Sequence, residues 1–288
     1  MAKPIRWIGF DMDECIGSVM PLFVFVTDMP HYCVVNKMSD KYDQILYELA
    51  NNLYMGEQLR KTCLLRPAMF HVLKIVYKAH KSQKIQGAFL YSNNGSKELV
   101  DFMVFFLNVC IWTMYDTEKK YPIVFQMGCW NGMSARAKYG LVKNFEGIQA
   151  CLADLHLPQC SSVNDLLFFD DIVHDLKQEI PHYTRVPAYF HQTNMQSLLE
   201  TISPIAKYFT KEQWDKMLAE TRQNIKNDFR RPANEYLSTR QSVQDEIRDI
   251  RIFSTALTNF FLTKKTVKNS VKNNKKSRLS TMKNPRFF

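Results

Sequence analysis

Short apolar runs alternate with longer amphipathic stretches along most of this chain. Trp7-Ile8-Gly9-Phe10 has the length of a strand and stops at Asp11. Ile85 to Ser92, Pro122 to Met127 and Leu166 to Phe169 repeat that form, and the less apolar Tyr183 to Val186 predicts one more strand, at the edge or in the core of the sheet. Apolar runs this short, bounded by polar or turn residues, read as buried strands. The segments between them carry the 3.6-residue period of helices. Tyr42, Ile45, Leu46, Leu49 and Leu53 share one face of Lys41 to Met55. Met69, Val72, Leu73 and Val76 do the same after Leu65-Arg66-Pro67, where Pro suits a first helical turn. Ser96 is placed to cap a helix whose inner face is Leu99, Phe102, Met103 and Phe106. Ser134 to Leu155, with a glycine at 140, predicts one helix, and Met195 to Ile202 another. Val19 to Val26 is β-rich and is followed by Pro30-His31-Tyr32, which predicts a small hairpin flap within about residues 17–60. Strands alternating with helices imply an α/β, Rossmann-like fold: a central parallel sheet flanked by helices, with right-handed crossovers.

From Ser203 the pattern becomes more charged. Lys211 to Asp228 and Gln241 to Leu262 predict two further helices, the second with Val243, Ile247, Ile250, Phe253 and Leu257 in one stripe. The expected organisation is a sheet domain over 1–202, a C-terminal helical extension over 203–262 packed on it or on a partner, and a disordered tail over 263–288. Charge sharpens this division. The net charge is +10, and the tail holds seven Lys, two Arg and no acid, so the body carries about +1. The longest apolar stretch, Phe102 to Met114, is interrupted by Asn108 and reads as a buried helix, not a membrane span. Met1-Ala2-Lys3-Pro4 leads at once into a strand, with no signal-peptide pattern. Seven cysteines without a Cys-x-x-Cys pair point to reduced thiols. These features predict an intracellular protein, cytoplasmic or nuclear. The Lys/Asn-rich, Gly-poor composition resembles that of large-DNA-virus proteins, and the expectation of a viral source rests on that resemblance alone.

The chemistry-bearing residues fall where the apolar runs end. Asp11 and Asp13 follow the first strand, Ser92, Asn93 and Asn94 the second, and Asp170 and Asp171 the run at 166–169. Lys143 lies between the second and third groups. In an open α/β sheet the carboxyl ends of the strands are where sites form. Two carboxylates at i and i+2 can share one cation or divide two catalytic roles. Oxygen-only ligands select Mg²⁺.

This order of four motifs resembles the haloacid dehalogenase-like phosphatase superfamily over about residues 5–200. The resemblance implies Asp11 as nucleophile and Asp13 as general acid and base. It implies Ser92 as a phosphoryl hydrogen-bond donor helped by Asn93, and Lys143 as the neutralising cation. Mg²⁺ would be held by Asp11, the Asp13 carbonyl, Asp170 and, through water or orientation, Asp171. Leu65-Arg66-Pro67 before a helix, and Glu14 after Asp13, resemble the phosphatases of the RNA polymerase II C-terminal tail. Two departures stand out: Cys15 replaces the usual threonine, and the gap from Lys143 to the acidic pair is longer, so Lys138 and Arg136 remain alternatives. Cys15 reads as a packed side chain, and His174 and Asp175 as helix surface. The expectation is a Mg²⁺-dependent phosphomonoester hydrolase with an open site, acting on a phosphoprotein. The alternatives are a polynucleotide end phosphatase, since the cationic tail suits nucleic acid or another acidic partner, and a catalytically silent binding protein.

Overall fold

The computed structural model describes residues 4–62, 64–115, 122–140, 142–189, 195–226 and 242–280, with the backbone alone for 195, 224–226 and 263–280. Its elements in chain order are β1 (Trp7–Phe10), α1 (Phe23–Val35), α2 (Tyr42–Gln58), α3 (Ala68–Lys81), β2 (Gly87–Tyr91), α4 (Lys97–Met114), β3 (Phe125–Cys129), α5 (Phe145–Asp154), β4 (Leu166–Asp170), α6 (Leu176–Glu179), β5 (His182–Arg185), α7 (Met195–Ile202), α8 (Lys211–Lys226) and α9 (Val243–Ser280). The five strands form one sheet in the order β3-β2-β1-β4-β5, parallel at every pairing. The protein is thus an α/β protein of Rossmann-like architecture, with helices on both faces of the sheet.

The alternation of side chains along each strand divides the interior in two. Ile8, Phe10, Ala88, Leu90, Leu167 and Phe169 face one core, shared with α1 to α4 and with Phe253, Leu257 and Phe260 of α9. Trp7, Phe89, Tyr91, Leu166 and Phe168 face the other, closed by Ile148, Cys151 and Leu152 of α5 and Leu176 of α6. Both faces are covered over β1, β2 and β4, which is why these strands read as near-continuous apolar runs. Gly9 lies on the second of these faces, between the rings of Phe89 and Phe168. A Cβ there would lie 2.5 Å from the rings of both Phe89 and Phe168.

The order of strands sets the position of the site. From β1 the chain builds outward through β2 and β3, then returns to place β4 on the other side of β1. Beside β1 the direction of winding reverses, so the carboxyl ends of β1 and β4 border the crevice where α/β proteins bind ligands. The register pairs Phe10 with Phe169, and the Asp11 N–H donates to the Phe169 carbonyl at 2.8 Å. Asp11 and Asp170 are therefore brought side by side by backbone pairing alone.

Two expectations are corrected. No hairpin flap forms over Val19 to Val26; a 3-10 turn at Met20–Leu22 runs into α1. Phe25, Met29, Tyr32 and Cys33 are buried at helical spacing, and this burial outweighs the modest helix cost of β-branched residues. Pro21 opens the turn where its missing N–H costs nothing. Nor is Ser134 to Leu155 one helix. A 3-10 turn covers Ser134–Arg136, Gly140 adopts φ +57°, and α5 starts only at Phe145. Asn144 caps it, its Oδ1 accepting from the Gly147 N–H at 2.7 Å. Ser96 caps α4 as expected, accepting from the Leu99 N–H. The side chains of the basic tail, and its final residues 281–288 entirely, lie outside the described residues.

Candidate active site

The loop after β1 is tightly folded back on itself. The Ile16 N–H donates to Met12 O at 3.2 Å and the Glu14 N–H to Gly17 O at 2.8 Å. Glu14 takes the left-handed conformation at φ +63°, a costly choice for a residue with a Cβ. Gly17 then lies flat against the Leu64 carbonyl, with no room for any side chain. Ser18 and Arg66 extend the contact, donating their N–H groups to Leu64 O and Ile16 O. The effect is to present Asp11 and Asp13 from a braced turn.

Asp11, Asp13, Glu14, Ser92, Asn93, Asn94, Lys143, Asp171, Ile172 and His174 line one cleft above the strand ends. Asp170 lies directly beneath it, fully buried. Lys143 spans the middle, its Nζ 2.5 Å from Asp11 Oδ1 and 3.0 Å from Asp170 Oδ2. The break before α5 makes this possible. Lys143 precedes the cap residue in non-helical backbone and so reaches the cleft. Of the two alternatives, Lys138 is exposed and does not line the cleft. Arg136 is buried over the Tyr91 ring and donates to Ser92 O, Asn93 Oδ1 and Gly140 O. It braces the β2 loop from behind. On that loop the Ser92 hydroxyl accepts from the Asn94 N–H at 2.9 Å, and the Asn94 amide reaches Asp13 Oδ2 at 3.5 Å.

His174 lies in the cleft wall, not on a helix surface, its Nε2 3.7 Å from Asp170 Oδ2. The signal was the i, i+4 spacing from Asp170, readable only once the turn between them is known. Asp175 is exposed and outside the lining. Cys15 is fully buried, and burial, with Asp11 adding to it, raises its thiol well above the usual range, as fits a packed side chain.

The charge balance is strongly anionic. Asp11, Asp170 and Asp171 offer oxygens that all lie within 4.8 Å of one another. Burial, then the charges of Asp11, Asp170 and Glu14, push the Asp171 carboxyl up to about 8. Burial also raises Asp170, with Lys143 opposing. Lys143 itself would be lowered by burial, but the two aspartates outweigh this and it ends above its ordinary value. The Oδ1 of Asp171 is buried without a hydrogen-bond partner. Three converging carboxylates, one with an orphaned oxygen, fit a hard divalent cation with oxygen ligands.

No family model, no curated protein and no solved structure matches this chain. Fold and cleft together define a Rossmann-like α/β protein with an acidic, lysine-bridged cleft beside the β1/β4 switch point. Among the described residues no helix is long and apolar enough to cross a membrane.

Proposed function

We propose that the cleft hydrolyses phosphomonoesters through an aspartyl-phosphate, and that the chain is a haloacid dehalogenase-like phosphatase acting on phosphoproteins. The observation that carries this reading is convergence. Asp11 and Asp13, Ser92, Lys143, and Asp170 and Asp171 come from four separate segments and meet at one cleft.

A Asp11 carboxylate oxygen attacks phosphorus, and the ester oxygen leaves in line, taking a proton from Asp13. Asp13 then removes a proton from the water that attacks the phospho-aspartate, releasing phosphate and restoring the Asp11 carboxylate and the protonated Asp13 acid. Lys143 orients Asp11 and offsets negative charge that grows on the phosphoryl oxygens. Ser92 and Asn93 border the same space and supply hydrogen bonds to those oxygens. Asp11, Asp170 and Asp171 would hold Mg²⁺, which when bound supplies charge neutralisation for an anionic substrate entering an anionic cleft.

The test is release of phosphate from a chromogenic aryl phosphate with and without Mg²⁺. The expected result is Mg²⁺-dependent turnover, lost by at least ~10³-fold in kcat for Asp11→Asn. A protein inert toward aryl, peptide and nucleotide phosphates would instead be a silent binding protein. The nine cations of 263–288 favour a second reading, a polynucleotide end phosphatase. Faster turnover of 3′-phosphorylated oligonucleotides than of phosphoserine peptides would select it.

A further inference from the structure

Arg66 is a fully buried charge outside the cleft that none of the chemistry above uses. Its guanidinium grips the turn that carries the paired aspartates. Nε donates to Cys15 O at 2.9 Å, and Nη2 to Glu14 O at 2.8 Å and Pro187 O at 2.5 Å. Its backbone N–H adds the bond to Ile16 O at 2.9 Å. The carbonyl of Glu14, the residue in the left-handed conformation, is held by a second donor as well, the Tyr189 N–H at 2.8 Å. The planar fork of arginine matches this set of divergent acceptors, and a lysine ammonium would not.

A guanidinium with almost no exposure needs a counter-charge. Among the described residues it comes from α9: Nη1 lies 2.7 Å from Asp249 Oδ2, and the Asp249 side chain is completely buried. The two residues are separated by 183 positions. Helix α9 is held on the body by more than this pair. Phe253 packs on Phe169 with ring centroids 4.8 Å apart, and Arg6 donates to the Phe260 carbonyl and lies over the Phe260 ring. Its docking therefore delivers Asp249 to a defined place.

We infer that Asp249 is a positioning residue for the cleft: it holds Arg66 as the clamp that keeps the 11–17 turn in its strained form. The kinetic consequence rests on the phosphatase reading, and the structural consequence does not. Three proteins test both. Asp249→Asn removes the counter-charge. The double variant Arg66→Met with Asp249→Leu removes the clamp while leaving no buried charge unpaired, so that it folds even where the single variant does not. Glu246→Gln breaks only the Arg60–Glu246 pair of the same helix and serves as control.

Amide hydrogen exchange is read at Ile16, Ser18 and Arg66 and compared with the strand amides. The expected result is exchange at least about tenfold faster at the turn in both clamp variants, with strand protection kept and Glu246→Gln unchanged. With aryl phosphate, kcat falls on the order of 10²-fold while KM stays within about twofold. A folded double variant whose turn exchanges like the wild type overturns the inference. So does faster exchange with unaltered kcat in an active enzyme. If the wild type hydrolyses no phosphomonoester, the phosphatase reading fails, and the exchange result still decides whether Asp249 and Arg66 hold the turn.

Discussion

At the scale of single residues, five carboxylates (Asp11, Asp13, Glu14, Asp170 and Asp171) share one small region with Lys143. The residue with most to reveal is Asp171. Its carboxyl sits at about 8 because burial and neighbouring charges penalise the anion. A carboxyl raised on folding stabilises the native state at low pH, where it is protonated in both states. That contribution disappears as pH climbs from the ordinary carboxylate range through about 8. Cation binding must expel the same proton. Titration calorimetry at pH 7 in buffers of different ionisation heat is therefore expected to report release of about one proton per divalent ion, with affinity rising toward pH 8. Asp171→Asn abolishes that release. His174 enters the same electrostatic group, lowered by burial and by Lys143. Its i, i+4 spacing from Asp170 sets it apart from a surface histidine only once the intervening turn is known.

At the scale of elements, the informative feature is a helix that does not form. The apolar spacing of 134–155 is compatible with one helix, but Gly140 at φ +57° and the Asn144 cap divide it. A continuous helix would have carried Lys143 on a regular backbone, and the extended entry to α5 frees it to reach Asp11. Asn144→Ala removes one N-cap hydrogen bond and is expected to cost ~1 kcal/mol, or a Tm drop of about 2–4 °C for a chain of this size. Because the cap also anchors the residue next to Lys143, phosphatase turnover should fall as well. Thermal melts and aryl phosphate assays on the same preparation check both. The helical course of the β-rich stretch Val19 to Val26 has a related origin. Valine and phenylalanine favour strands as isolated residues, and the burial of Phe25, Met29, Tyr32 and Cys33 on one helical stripe overrides that preference.

At the scale of the whole molecule, the sheet is an assembly of aromatic contacts that depends on one absent side chain. Phe89 and Phe168 reach across β1 from its two neighbours and close over Gly9. Gly9→Ala is expected to lower stability by about 1–3 kcal/mol through overpacking, measured as a fall in the denaturant midpoint. The strands, their two buried faces, the capped start of α4 and the acidic ends of β1 and β4 were all legible in the amino-acid order. Each is a local pattern: an apolar run, a period, a serine before a helix, a carboxylate after a strand. The sequence by itself thus determined the α/β class and the chemical groups available at the strand ends. Tertiary structure alone decided which groups meet. It selected Lys143 over Lys138 and Arg136, turned His174 into the cleft, and set Asp249 against Arg66 across 183 residues. The reason is that periodicity records how a segment meets its own immediate surroundings. Contacts between distant segments depend on how the whole sheet and its helices pack, and no local pattern encodes that.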